Sequence, residues 1–356
     1  MSPLFTPGPV EVAPEVLAAQ ARPIIPSFSQ EYEALFTSVE ERLHRLYLGG
    51  LNLALLPGSE ISGLEALLGS FVHAPALCVI GGAAGLRWYE MGQALEKPLE
   101  RLDVDPGEAL APERLADALR EKPYSAVLLT HVEASTGVQN PLAELAAVVH
   151  AEQPAALLLV NAVSSLGGTP VMAEEWGIDA LFTVSDRCLA LPPGLVLTGF
   201  SQRALDAAAG GGPRGWTLDL VRRHRARGRD AITRDLPVSL LYALSTQLDR
   251  ILMEGTAARC ERHRLLARRV EHWAEERGLP PLAVEGARAD TLTVIQNRKG
   301  IAIDDLNRFL TARGMRLANG IGPLRDRTLC IAAMGEVQPF ELEGLLEAVD
   351  LFIGGA

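Results

Sequence analysis

Lysine is the scarcest resource in this chain: Lys97, Lys122 and Lys299 are the only three among 33 lysine and arginine residues. Chemistry that needs a neutral amine therefore has three side chains to draw on. Cysteine is nearly as sparse. Cys78, Cys188, Cys260 and Cys330 stand at no disulfide or metal-finger spacing, which fits a reducing compartment. No apolar run approaches the ~20 residues of a membrane-spanning helix, and no apolar leader follows Met1-Ser2-Pro3, so a cytoplasmic protein is expected. There is no basic block, and the net charge is −11. That excludes nucleic acid and anionic membrane as natural partners. Internal repeats and low-complexity tracts are absent as well.

What is present suits a large globular protein. The 356 residues are 48% hydrophobic and 22% charged, enough for an extensive core and for two domains. The centre of the chain, from Leu157 to Gly194, carries two short apolar runs. Ala155 to Val160 ends at Asn161, and Ile178 to Val184 ends at Ser185-Asp186-Arg187. Buried strands that deliver polar residues at their carboxyl ends are how an open parallel α/β sheet builds a ligand site.

Around this centre strands and helices alternate. Residues 14–22 and 30–47 read as amphipathic helices. Leu51 to Leu56 reads as a strand, followed by the turn Pro57-Gly58-Ser59-Glu60-Ile61 and a helix, a layout that presents backbone N–H groups to an anion. Residues 77–80 form a further strand before the turn Gly81-Gly82-Ala83-Ala84-Gly85, with Trp88 on the next helix. Residues 98–103 and 124–130 continue the alternation into His131-Val132-Glu133-Ala134-Ser135-Thr136-Gly137. A long helix from Val238 to Arg269, broken near Gly255, leads to a strand at 291–296, a helix at 304–313 N-capped by Asp304 and a strand at 329–333.

Four of these stretches carry a likeness beyond their pattern: Thr6-Pro7-Gly8-Pro9, the loop 131–137 with Gln139-Asn140-Pro141, the central stretch 157–194, and Asp326 to Gly335. Together they resemble the class-V aminotransferases, the serine–pyruvate and alanine–glyoxylate branch of the fold-type-I pyridoxal-phosphate (PLP) enzymes. The resemblance implies an α/β fold with a large, mostly parallel, seven-stranded sheet domain and a smaller C-terminal α/β domain. It implies an N-terminal arm at 1–15, a large domain at 16–255 and a small one at 256–356, assembled as a homodimer or paired with an active paralogue. It also assigns positions. The cofactor phosphate would meet Ser59, Glu60 and Ile61, and Asp235 from the partner subunit. Ala84 takes the place of the ring-stacking aromatic, Asn161 that of the aspartate beside the pyridine nitrogen, and Arg187 that of the lysine. Gly8 and Cys330 occupy substrate positions, Cys330 where the family's arginine grips the substrate carboxylate.

Nearly every assigned position departs from what the chemistry asks. Transamination needs an amine that can lose its proton and an anion beside the ring nitrogen. An arginine stays protonated near neutrality, and an amide does not stabilise a pyridinium. Carboxylates at Glu60 and Asp235 repel a phosphate. Three readings follow: a catalytically inactive homologue kept for binding or regulation, a lysine-independent activity with PLP held non-covalently or with another ligand, and a conventional transaminase. The first carries two expectations, that no cofactor is held covalently and that Arg187 enters the cavity to pair with Glu60, Asp235 or Glu133. No metal site is expected.

Overall fold

The computed structural model describes residues 3–212, 215–226 and 235–354. The strands in chain order are β1 (Leu4–Phe5), β2 (Asn52–Gly58), β3 (Ala76–Ile80), β4 (Leu99–Asp103), β5 (Ala126–Thr130), β6 (Val132–Glu133), β7 (Val138–Gln139), β8 (Leu157–Asn161), β9 (Ala180–Val184), β10 (Gly194–Phe200), β11 (Leu292–Gln296), β12 (Arg316–Asn319) and β13 (Thr328–Ala332). Seven of them form one sheet in the order β2-β10-β9-β8-β5-β3-β4. The pairs from β4 through β9 are parallel, and β10 and β2 close the other edge antiparallel. This is the mostly parallel seven-stranded α/β sheet that the resemblance implies.

The interior strands read as nearly continuous apolar runs because both faces are covered. Every residue of β3, β5, β8 and β9 is buried. One face packs on the N-terminal helices and the helix Val238–Glu254. The other packs on the helix Glu60–Phe71 and on Trp88 of the helix Ala83–Ala94. Gly63 marks how close that second layer lies, since a Cβ there would meet the Phe182 ring at 2.1 Å.

A second, four-stranded sheet follows the order β1-β12-β13-β11. It packs on the helices Thr256–Glu276, Ile303–Thr311 and Pro339–Gly354. Its first strand comes from the start of the chain: Leu4–Phe5 pairs in parallel with Arg316–Leu317, and Phe5 is fully buried in that core.

Several local expectations shift. The helix at 30–47 is α-helical only to Leu43, and His44–Leu48 forms a π-helical turn. The long helix breaks at Gly255 as expected, where a φ of 83° suits glycine, but its second half runs on to Glu276. Asp304 is not an N-cap. The cap position is Ala302 without a side-chain bond, and Asp304 lies in the first turn, where its charge still favours the helix dipole.

Candidate active site

The carboxyl ends of β5, β8 and β9 converge on one cavity of about 170 Å³. Its wall takes Glu133 and Ser135 from the loop after β5, Asn161 and Ser164 from the end of β8, and Arg187 from the turn after β9. Gly8 closes it from the N-terminal arm, and Glu60, Ala84 and Arg87 close it from the starts of two helices. Gly8, Glu60, Ala84, Asn161 and Arg187, expected together from the sequence, are thus brought together.

Arg187 is held by its own neighbourhood. Its Nη1 donates to Asp186 Oδ2 at 2.5 Å, and its side chain is 19% exposed. The Arg187 side chain lies close against Gly8, where a Cβ would come 2.2 Å from Nη1 and 2.3 Å from Cζ. Gly8 also sits at φ 130°, a conformation that only glycine adopts without strain. The arm is tied to the same turn by Val10 N–H donating to Asp186 O at 3.2 Å. Ser185 pins the turn from within, donating to Pro192 O at 2.7 Å and accepting from Leu195 N–H at 3.2 Å.

The expected partner of Arg187 is therefore corrected. It pairs with Asp186, which is adjacent in sequence and reaches it without crossing the cavity. Glu60 is taken by Arg87 at 3.1 Å. Glu133, only 2% exposed, faces the start of the helix Ala83–Ala94. It accepts from the N–H groups of Ala84 and Gly85 at 3.1–3.3 Å and from Ser135 Oγ at 2.8 Å, while Ser135 Oγ accepts from Ala83 N–H at 2.9 Å. Burial pushes the Glu133 carboxyl up, and these donors pull it back. Asp235 is exposed, adds its charge to the field at Arg223, and is not in this chain's cavity wall.

Other expected positions stand apart from the cavity. Ser59 forms a capping box with Ser62 at the start of the helix Glu60–Phe71, and Ile61 points outward, 54% exposed. Cys330 is a correction: it is buried in an apolar cluster with Val10, Val132 and Met334, and burial pushes its thiol up to about 12. Its side chain packs in that cluster and is not part of the cavity wall. Asn161 Oδ1 accepts from Val163 N–H at 3.0 Å, while its buried Nδ2 meets no partner among the described residues. The lysines all lie elsewhere. Lys97 donates to Val72 O at 2.9 Å, Lys122 pairs with Glu100, and Lys299 is exposed.

One residue with no signal in the sequence braces this site from below. Arg259, 1% exposed, pairs with Glu254 at 2.7 Å and Glu336 at 3.0 Å. It also donates to Gly167 O at 3.1 Å and to Cys188 O at 2.8 Å. It thereby ties the turn that carries Arg187 to the helices and to the segment after β13.

Comparison with known proteins places this geometry. The sequence model of the class-V aminotransferases matches residues 80–322. The chain belongs to that family. An uncharacterized aminotransferase of Methanocaldococcus jannaschii is 31% identical over 98% of this chain and 91% of its own. Among solved structures, an aspartate aminotransferase of subgroup IV from Thermus thermophilus is 28% identical with a TM-score of 0.89, covering 99% of each chain. The ureidoglycine–glyoxylate aminotransferase of Bacillus subtilis is 25% identical with a TM-score of 0.92, covering 100% of this chain and 94% of that one. The fold is that of the fold-type-I PLP-dependent aminotransferases. Among the described residues of this class-V chain, no group of His, Cys, Asp and Glu side chains is arranged to hold a metal ion.

Proposed function

We propose that this chain is a class-V aminotransferase homologue that does not transaminate and is retained for a binding or regulatory role. The observation that carries this reading is the cation at the end of β9, which is Arg187 ion-paired to Asp186, while all three lysines lie away from the cavity. The residues of the cavity do not fit a covalently held PLP. There is no amine, Asn161 supplies no charge, and Glu60 stands at the helix start that would cradle the phosphate. PLP, if bound at all, is held non-covalently.

The rival reading is an active PLP-dependent aminotransferase, supported by the transaminase names of relatives such as the alanine–glyoxylate aminotransferase of Rattus norvegicus. An absorption spectrum with added PLP, followed by borohydride reduction, separates the two. We expect no chromophore fixed to the protein. A fixed chromophore, mapped by mass spectrometry to one of the three lysines, overturns the proposal. We further propose a cytoplasmic homodimer, supported by the shared fold and by the absence, among the described residues, of any helix long and apolar enough to cross a membrane. Sedimentation analysis giving a monomer refutes the dimer.

A further inference from the structure

We infer that Glu336 fastens a clasp that holds the turn carrying Arg187 in a strained conformation, so that removing its negative charge releases this turn before the rest of the sheet. The clasp belongs to the chain's own packing and is independent of what the cavity holds.

The strain lies at Ala190, three residues after Arg187. Its φ is 52°, a left-handed conformation that is costly for a residue with a Cβ and persists only where the surroundings enforce it. Ala190 N–H donates to Arg187 O at 2.9 Å and Leu191 N–H to Ser185 O at 3.0 Å, so the arginine and the strained residue belong to one turn. Gly335 presses on that turn from the segment after β13. A Cβ at Gly335 would lie 2.9 Å from Ala190 Cβ and 3.1 Å from Val10 Cγ2. Val10, Cys188, Ala190 and Met334 share one buried apolar cluster.

This segment is fastened in turn by side chains of the helices Val238–Glu254 and Thr256–Glu276. Arg262 donates to Gly335 O at 3.0 Å and to Val337 O at 2.8 Å. His263 Nε2 accepts from Gly335 N–H at 3.0 Å, which places the ring proton on Nδ1, facing Arg259 O at 2.7 Å. Arg259 closes the clasp, because its one buried guanidinium bonds both Glu336 and Cys188 O. Glu336 is shared between Arg250 and Arg259, and Glu254 between Arg259 and Arg262. Without the Glu336 charge, Arg250 keeps Glu15, but Arg259 and Arg262 have Glu254 alone between them. Arg259 is then drawn towards that carboxylate and away from Cys188 O.

Cys188 is a built-in reporter, fully buried within the turn, while Cys78, buried in β3, reports opening of the large sheet. The full-length Glu336→Gln variant is labelled with a thiol reagent at pH 8, and the rates at the two sites are read by peptide mass spectrometry. The ratio of Cys188 to Cys78 labelling is expected to rise by about tenfold or more over the unaltered protein, as local opening demands. Adding Ala190→Gly, which removes the strain, is expected to bring the ratio most of the way back. Gly335→Ala pushes on Ala190 from the same side and should raise the ratio too, which keeps the test intact if Glu336→Gln does not fold. An unchanged ratio means that Glu336 only stabilises the whole chain, and overturns the inference. A raised ratio that Ala190→Gly leaves in place also overturns it, since the turn then holds no strain to release.

Discussion

Glu336 offers the sharpest quantitative test of how this site is braced. It sits after β13 and accepts from Arg259 at 3.0 Å, Arg250 at 2.7 Å and Gln247 at 2.7 Å. Burial pushes its carboxyl up, but the Arg259 guanidinium, with Arg250 and Gln247, outweighs that and brings it down to about 2. A carboxylate whose folded pKa lies below its unfolded value stabilises the fold above the unfolded pKa and loses that contribution as pH falls towards the folded one. The ordinary value is 4.5, and each pKa unit is worth about 1.4 kcal/mol. The charge of Glu336 thus contributes on the order of 3 kcal/mol at neutral pH, fading between pH about 4.5 and about 2. Glu336→Gln keeps the shape and removes the charge. Urea unfolding, followed by both circular dichroism and intrinsic fluorescence so that departures from a single transition are visible, is expected to show the variant weaker by about 2–4 kcal/mol at pH 7. The gap should close as the pH is lowered towards 2.5. Equal midpoints at pH 7, or a gap unchanged at low pH, would refute the account of Arg259 as a charged brace.

The other consequences are simpler to read. Glu133→Ala removes the acceptor for two helix N–H groups and Ser135, so a loss of about 2–4 kcal/mol is expected in the same assay; added acetate should restore part of it, and a neutral outcome would contradict the capping role. The thiols of Cys78, Cys188 and Cys330 are pushed up to about 12 by burial and that of half-buried Cys260 to about 11, so a thiol reagent at pH 8 should label the native protein slowly at Cys260 and not at the other three. Rapid labelling of Cys330 would mean that it faces the cavity after all.

Much of the fold was legible in one dimension because its signals are local. Largely apolar runs at 157–160 and 178–184 identify strands covered on both faces, and a polar residue at the end of each announces a site at the carboxyl edge of the sheet. Glycine-rich turns and the 131–137 loop carry a family likeness that needs no coordinates. Helix ends were less legible. The π-helical turn at His44–Leu48 leaves no mark in a hydrophobic period, and the helix expected to be capped by Asp304 starts two residues earlier, after Ala302.

By itself, then, the sequence placed none of its three lysines in a strand-end motif and an arginine where the resemblance expects an amine. It also determined the strand pattern that brings Gly8, Glu60, Ala84, Asn161 and Arg187 to one edge of a sheet. The tertiary structure decided which charges meet. Arg187 pairs with Asp186 beside it, while Glu60 pairs with Arg87 and Glu133 accepts from a helix start. Cys330 went into the core, since β13 presents that face to Val10 and Val132. Arg259 was beyond reach of any local pattern, because its partners at Gly167, Cys188 and Glu336 lie 71 to 92 residues away along the chain. Ion pairs at such separations depend on distances that only the packed chain sets.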